Sequence, residues 1–418
     1  MTLSHIKTDR FKKARLTAVL RTAITHDRSP LTSLIMPVAF LGTEKYPSFR
    51  SICCRAEDLY AADLSDINMK LGNYQLTGLA ASMLNEEYMS RYDREQGFSV
   101  LSGVMEIFSE LLQKALFRLE NVETEKANQI NRINSRKNDA FGYAKYRFTK
   151  EMFKNEPCGY SLSGEIEQVT SITAQQLREH CENIVQTAPM EFFYCGTAEA
   201  QTVIDLIQKY FGNRAGGADV NVPSTVVAAR ENPKYINEEG LYRQGNLLLG
   251  FRTENALSDR EFYAVELMNQ IFGDGSTSKL FVNVREKKSL CYFCASSYDE
   301  IRGTVLVGCG INNSDYVDAL AEILAQLEEI RNGNISDAEL ENAVRAIEND
   351  CRAAEDNPCD YESFGRTERL FGGPRTIDEY LNGVLSVKKE EIAQAAQRMK
   401  LDTVYFLKGT IEGGEDDE

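Results

Sequence analysis

The sequence predicts an α+β chain of two homologous halves, each a mainly antiparallel sheet packed with helices. Three internal matches carry that expectation. The β-rich run Met190–Thr197 (MEFFYCGT) returns as Thr403–Thr410 (TVYFLKGT), 213 positions on. Glu123–Ile133 lies over Asp337–Ile347 at an offset of 214. Nearer the start of each half the offset is 231, where Leu16–Thr22 (LTAVLRT) meets Leu247–Thr253 (LLLGFRT).

Each half reads strand, helix, strands, long helices, helix, strand. In the first, Leu16–Thr22 is a strand and Ser29–Thr43 a helix, with Ser29 as N-cap, Pro30 in the first turn and Gly42 as the stop. Leu101, Val104, Phe108, Leu111 and Ala115 then recur at helical spacing. The two offsets differ by 231 − 214 = 17, an insertion assigned to the polar stretch Asn85–Gln96. In the second half Thr304–Cys309 alternates as a strand, and Val317, Leu320, Ile323, Leu324, Leu327 and Ile330 form the helical stripe. Residues 215–239 carry Gly, Pro and Asn without periodicity and read as a linker. The expected domains are therefore 1–214, a linker at 215–239, and 240–418.

The 418 residues carry 47 Lys+Arg against 63 Asp+Glu, a net charge of −16, which argues against nucleic acid or an anionic membrane as the main partner. No apolar run reaches the length of a membrane span and no signal-peptide core is legible. Ten cysteines spread over so long a chain read as mostly free thiols, and a cytoplasmic location is expected. The acidic end Gly413–Glu418 reads as a solvated tail. Neither G-x-x-x-x-G-K-[ST] nor a strand-linked G-x-G-x-x-G occurs, which disfavours a nucleotide enzyme.

Two stretches point further: Gly273–Tyr292 (GDGSTSKLFVNVREKKSLCY), and Pro157–Gly164 (PCGYSLSG) followed by Val169–Leu177. With the doubled α+β plan, they give the chain a resemblance to the pitrilysin-like (M16) metallopeptidase family over nearly its whole length. The resemblance implies the M16/LuxS-like fold, with the two halves forming a half-shell. Catalytic members bind zinc through H-x-x-E-H on the first helix and a Glu on a later helix. Two His at i and i+4 share a helix face and can converge on one ion. Here the only histidines are His5, His26 and His180, so no such pair exists. Aligned on Gly42-Thr43, the ligand positions fall on Ser33, Met36 and Pro37, and the later Glu near Asn131. The chain is therefore not expected to be a zinc peptidase by itself, and no metal or other cofactor is expected on it.

The resemblance also implies an Arg and a Tyr seven residues apart that hold substrate backbone, here Arg285 and Tyr292. An Arg presents several donors to a carbonyl, and a Tyr hydroxyl supports a developing oxyanion. On the residues alone, Arg285 could equally serve a helix end and Tyr292 strand packing. Gly273 and Gly275 allow close approach of a peptide or supply positive φ for a turn. Cys291-x-x-Cys294 sits in a strand reading, where residues three apart point to opposite faces, with Tyr292 on the face of Leu290 and Cys294. A redox or metal role for the pair is disfavoured on that ground.

The reading is a non-catalytic M16-like subunit that pairs with a zinc-bearing M16 paralogue as a heterodimer and contributes to a composite peptide-cleavage chamber. The alternative is a structural or binding homodimer. Among bacterial relatives the chain resembles the group associated with elongation-factor-P 5-aminopentanol modification.

Overall fold

The computed structural model describes residues 1–212, 214, 222, 226–255, 260–372 and 376–411. Part of the 215–239 stretch and the acidic end therefore lie outside the described residues. The chain forms two compact units, Met1–Ser135 with Asn155–Pro223, and Arg136–Lys154 with Ser224–Glu418.

The first unit holds a five-stranded sheet of β1 (Thr2–Lys7), β2 (Lys13–Ala23), β3 (Asp63–Leu71), β4 (Tyr74–Leu84) and β5 (Met190–Gly196), ordered β1-β5-β2-β4-β3. Only β1 and β5 run parallel; the other pairs are antiparallel. Every residue of β5 is buried, as a strand covered on both faces requires. Gly78 of β4 lies so close to β2 that a Cβ there would come 2.7 Å from the Val19 Cα. Helices Ser29–Ala39 and Val100–Gln113 are buried on nearly all sides, whereas Ala174–Thr187 buries one face, Leu177, Cys181, Ile184 and Val185. The stretch Asn85–Gln96 carries two short helical turns, Glu86–Tyr88 and Arg91–Glu95, with only residues 312–315 between the matching elements of the second half.

The second unit repeats the topology strand for strand: β6 (Lys234–Gly240), β7 (Gly245–Arg252), β8 (Cys291–Asp299), β9 (Thr304–Ile311) and β10 (Lys400–Gly409), ordered β6-β10-β7-β9-β8. Strand β6 corrects the linker reading. It pairs parallel with β10 from Lys234↔Thr403 to Gly240↔Gly409, so the last six residues of 215–239 belong to the second sheet. The signal was present, because the 231 offset carries Thr2–Lys7 onto positions 233–238.

A second boundary also moves. Helix Ala140–Met152, placed by sequence in the first half, packs on the second sheet. Ala144, Phe148 and Met152 recur at i, i+4 and i+8 and are buried. They occupy the space left by Gly250, where a Cβ would come 2.5 Å from Phe148 Cζ. Phe141 covers Gly308 and meets Phe293 edge-on, with centroids 5.0 Å apart. Glu238 of β6 accepts from the Tyr143 hydroxyl at 2.7 Å, from Arg147 Nε at 2.8 Å and from the Tyr405 hydroxyl at 2.8 Å.

The opposite face of that sheet is covered by helices Phe262–Phe272, Tyr316–Arg331 and Lys389–Arg398. In Tyr316–Arg331 the buried row is Ala319, Ile323, Leu327 and Ile330. Val317 is 69% exposed, because two residues of helix separate it from that row by about 200°. Among the described residues, no helix is long and apolar enough to cross a membrane.

Candidate functional site

Helix Ser29–Ala39 carries the positions where a zinc motif would lie. Arg28, not Ser29, precedes its first turn, and the Ser29 hydroxyl accepts from Thr25 N at 3.1 Å. Ser33 is the hub of a neutral network. Its hydroxyl lies 2.7 Å from the Leu162 carbonyl and 3.0 Å from that of Ser29, and it accepts from Asn68 Nδ2 at 2.9 Å and Gln75 Nε2 at 3.1 Å. Met36 is buried in the core, and Pro37 removes one backbone donor from the helix interior. A hydroxyl saturated by carbonyls and amides, a thioether and a proline do not fit a zinc ion of the peptidase type, which takes imidazole and carboxylate. No catalytic step is assigned to this face.

Asn131 is exposed, and the buried stripe of helix Leu119–Ser135 is Val122, Glu125, Lys126 and Gln129. Helical periodicity rotates position 131 about 200° away from Gln129. Gln129 donates to the Ser163 carbonyl at 2.8 Å, so it is the residue that looks toward the loop before helix Ile166–Ser171.

His180 lies beside this helix, its Nε2 2.8 Å from the Thr32 hydroxyl. Burial, with the nearby Arg28 charge, lowers its pKa to about 4. The unfolded chain takes up this proton near pH 6.5 and the folded chain does not, so the stability is present above that pH and is lost as pH falls through the window. Between pH 7.5 and 4.5 the protein should lose about 2 kcal/mol more than His180→Gln does. Denaturant titrations at both pH values test it; equal losses would remove His180 from the account.

In the second unit Arg285 and Tyr292 come together. Both line an open cleft of about 410 Å³ with Ser289, Leu290, Cys291 and Asn312. Arg285 ends a wide helix, Leu280–Lys287, in which Lys288 N bonds the Asn283 carbonyl five residues back. Its guanidinium lies 4.6 Å from the Phe281 ring centroid, and Glu286 stands 3.7 Å from its Nε. Ser289 turns the chain at φ 51°, a left-handed conformation uncommon outside glycine.

Tyr292 is aimed by a β-bulge. Cys291 opposes Ile311 and Phe293 opposes Gly310, leaving Tyr292 as the extra residue of β8. It is 61% exposed, and among the described residues its hydroxyl has no hydrogen-bond partner. This overturns the strand alternation read from sequence, which put Tyr292 on the face of Cys294. The bulge also corrects the reading of the cysteine pair. Cys291 now shares a face with Cys294, and Cys309 stands opposite Cys294 on β9. The three Sγ atoms lie within 4.8 Å of one another. Hydrogen bonds from Cys294 and then Cys309 favour the thiolate of Cys291, whose pKa falls below the thiol range.

Gly273 is buried, and a Cβ on it would come 2.5 Å from Ser296 Oγ of β8. Its bareness serves helix–strand packing, not approach by a peptide. Gly275 is exposed at φ 89° and supplies the turn.

Sequence reasoning passed over a second cleft in this unit, of about 390 Å³, lined by Phe262, Glu266, Gln270, Asp274, Glu300 and Tyr380 among others. Burial, then Glu300 and Asp274, raises the pKa of Glu266 to about 7. Its acidic members are scattered from 266 to 368, so no local motif announces it.

With this geometry in place, the relatives can be compared. A family model described as "Peptidase M16 inactive domain" matches residues 171–347. "Probable inactive metalloprotease YmfF" of Bacillus subtilis (strain 168) is 28% identical over 412 residues, spanning 98% of this chain and 96% of that protein. The crystal structure of a conserved protein from Enterococcus faecalis V583 superposes with a TM-score of 0.90 at 24% identity, over 99% of this chain and 97% of that one. The peptidase M16 inactive domain from Pseudomonas fluorescens gives 0.77 at 15% identity, again over 99% and 97%. The two structures bear on the fold alone, which is the fold expected from the doubled plan. The paired sheets and a first helix without zinc ligands fit these similarities, which are to inactive M16 peptidase-like proteins.

Proposed function

We propose that this chain is the non-catalytic half of a cytoplasmic M16 peptidase heterodimer, presenting Arg285 and Tyr292 to a peptide that a zinc-bearing paralogue cleaves. The observation that supports it is the bulge in β8, which turns Tyr292 out of the sheet and into the cleft that Arg285 also lines. A Tyr hydroxyl without a partner among the described residues and a half-exposed guanidinium are suited to a substrate carbonyl and to the oxyanion formed on attack. The partner supplies the metal and the general base. Gly275, at the exposed turn, can border the peptide; Gly273 has no part in it.

The test is reconstitution with a paralogue that carries H-x-x-E-H. Alone, the chain should hydrolyse no peptide. The mixture should, and Arg285→Ala should lower kcat/KM by about 10²-fold, with Tyr292→Phe lowering kcat by about tenfold. Full activity in Arg285→Ala would remove that residue from the mechanism. Stable self-association, with no heterodimer on size exclusion, would favour a binding homodimer without a peptidase role.

A further inference from the structure

We propose that Cys291, Cys294 and Cys309 form a binding site for one thiophilic d10 cation, Zn2+ or Cu+, with its open coordination position facing the cleft that Arg285 and Tyr292 line. The site does not depend on the peptidase-partner reading.

Three features carry it. The first is convergence: three sulfurs from two adjacent strands lie within 4.8 Å of one another. Tetrahedral zinc with Zn–S of about 2.3 Å sets its sulfurs about 3.8 Å apart, and trigonal copper about 4.0 Å, so the cluster needs to contract by 1 Å at most. Among the described residues, no other set of three His, Cys, Asp or Glu groups its ligand atoms this way.

The second is the backbone that makes the cluster. In a regular strand Cys291 and Cys294 would point apart. The extra residue at Tyr292 rotates Cys291 onto the side of Cys294, opposite Ile311 and so one same-face position along β9 from Cys309. A buried core would be served equally by alternating Val or Ile, as the rest of β9 is.

The third is access. Cys294 and Cys309 are buried, at 3% and 0% exposure, and fix two ligands on rigid sheet. Cys291 is half-buried and lines the open cleft, so an ion can enter past it and keep one position for water or a ligand. Each coordinating thiol releases its proton to solvent. Three thiolates with Zn2+ leave one negative charge, or two with Cu+, beside the Arg285 guanidinium in the same cleft. A bound ion would clamp β8 to β9 where Tyr292 is presented.

The full chain, reduced and kept under inert gas, is titrated with Zn2+ and, separately, Cu+ against chromophoric chelators. We expect one equivalent bound per chain, and protection of three thiols from alkylation. Cys291→Ser and Cys309→Ser should each weaken binding by more than ~100-fold, and Cys158→Ser in the other unit should leave it unchanged. Cys291 is half-exposed, so its serine variant is expected to fold; circular dichroism checks this for both. Binding of Zn2+ alone assigns the four-coordinate ion, and binding of Cu+ alone the trigonal one. The proposal is overturned if neither metal binds at one equivalent or if Cys291→Ser binds like the parent. It is equally overturned if the three thiols only form a disulfide on exposure to air.

Discussion

Phe148→Ala should destabilise the second unit by about 3–5 kcal/mol, although residue 148 lies in the first half of the sequence. Phe148 is 1% exposed and fills the hollow over Gly250 with Met152, on the face of the second sheet away from its core helices. Truncation removes most of the ring and leaves a cavity bounded by rigid strand, which cannot collapse because β7 sits between β10 and β9. Gly250→Val probes the same contact from the other side, since its Cβ would come 2.4 Å from Met152 Sδ. Amide exchange locates the effect: protection should fall along β7, β9 and β10 and stay unchanged along β2 and β4. A loss below ~1 kcal/mol, or one spread evenly over both sheets, would mean that helix Ala140–Met152 does not belong to the second unit.

The doubled plan was legible because it rests on long-period matches, which survive divergence at individual positions. The offsets of 231 and 214 foresaw two sheets of one topology and placed the insertion at Asn85–Gln96. What failed was local. Strand β6 reads as linker in sequence because its residues, KYINEEG, alternate between intermediate and exposed and offer no apolar face. Helix Ala140–Met152 was assigned by chain order, and nothing in its own residues says which sheet it covers. The zinc deficit could be read outright, since three scattered histidines cannot make the motif on any fold. That Asn131 is exposed while Gln129 is buried could not be read from local composition, since two positions on a helix separate core from solvent. The β8 bulge was invisible because one extra residue leaves no mark on composition, yet it decides where Tyr292 and the three thiols point.

Glu266→Gln should stabilise the protein by up to about 3 kcal/mol at pH 8 and leave it unchanged at pH 4. Glu266 lies at the base of the acidic cleft with Glu300, Asp274 and Asp350 around it, and Tyr380 bonds its carboxyl. Burial first, and those neighbours second, raise its pKa from 4.5 to about 7. In that interval the folded chain holds a proton that the unfolded chain has released. Stability is therefore full below pH 4.5 and declines as pH rises to about 7, above which the penalty is constant. Glutamine keeps the shape and a carbonyl for Tyr380 without the charge, so its curve should lack this descent. Unfolding free energies of both proteins at pH 4, 6 and 8 give the comparison. Parallel curves would show that Glu266 ionises in the folded chain as it does in water. Neighbouring Glu300 and Asp274 also sit above the usual carboxylate range, with burial the first cause for each, so the cleft as a whole disfavours negative charge.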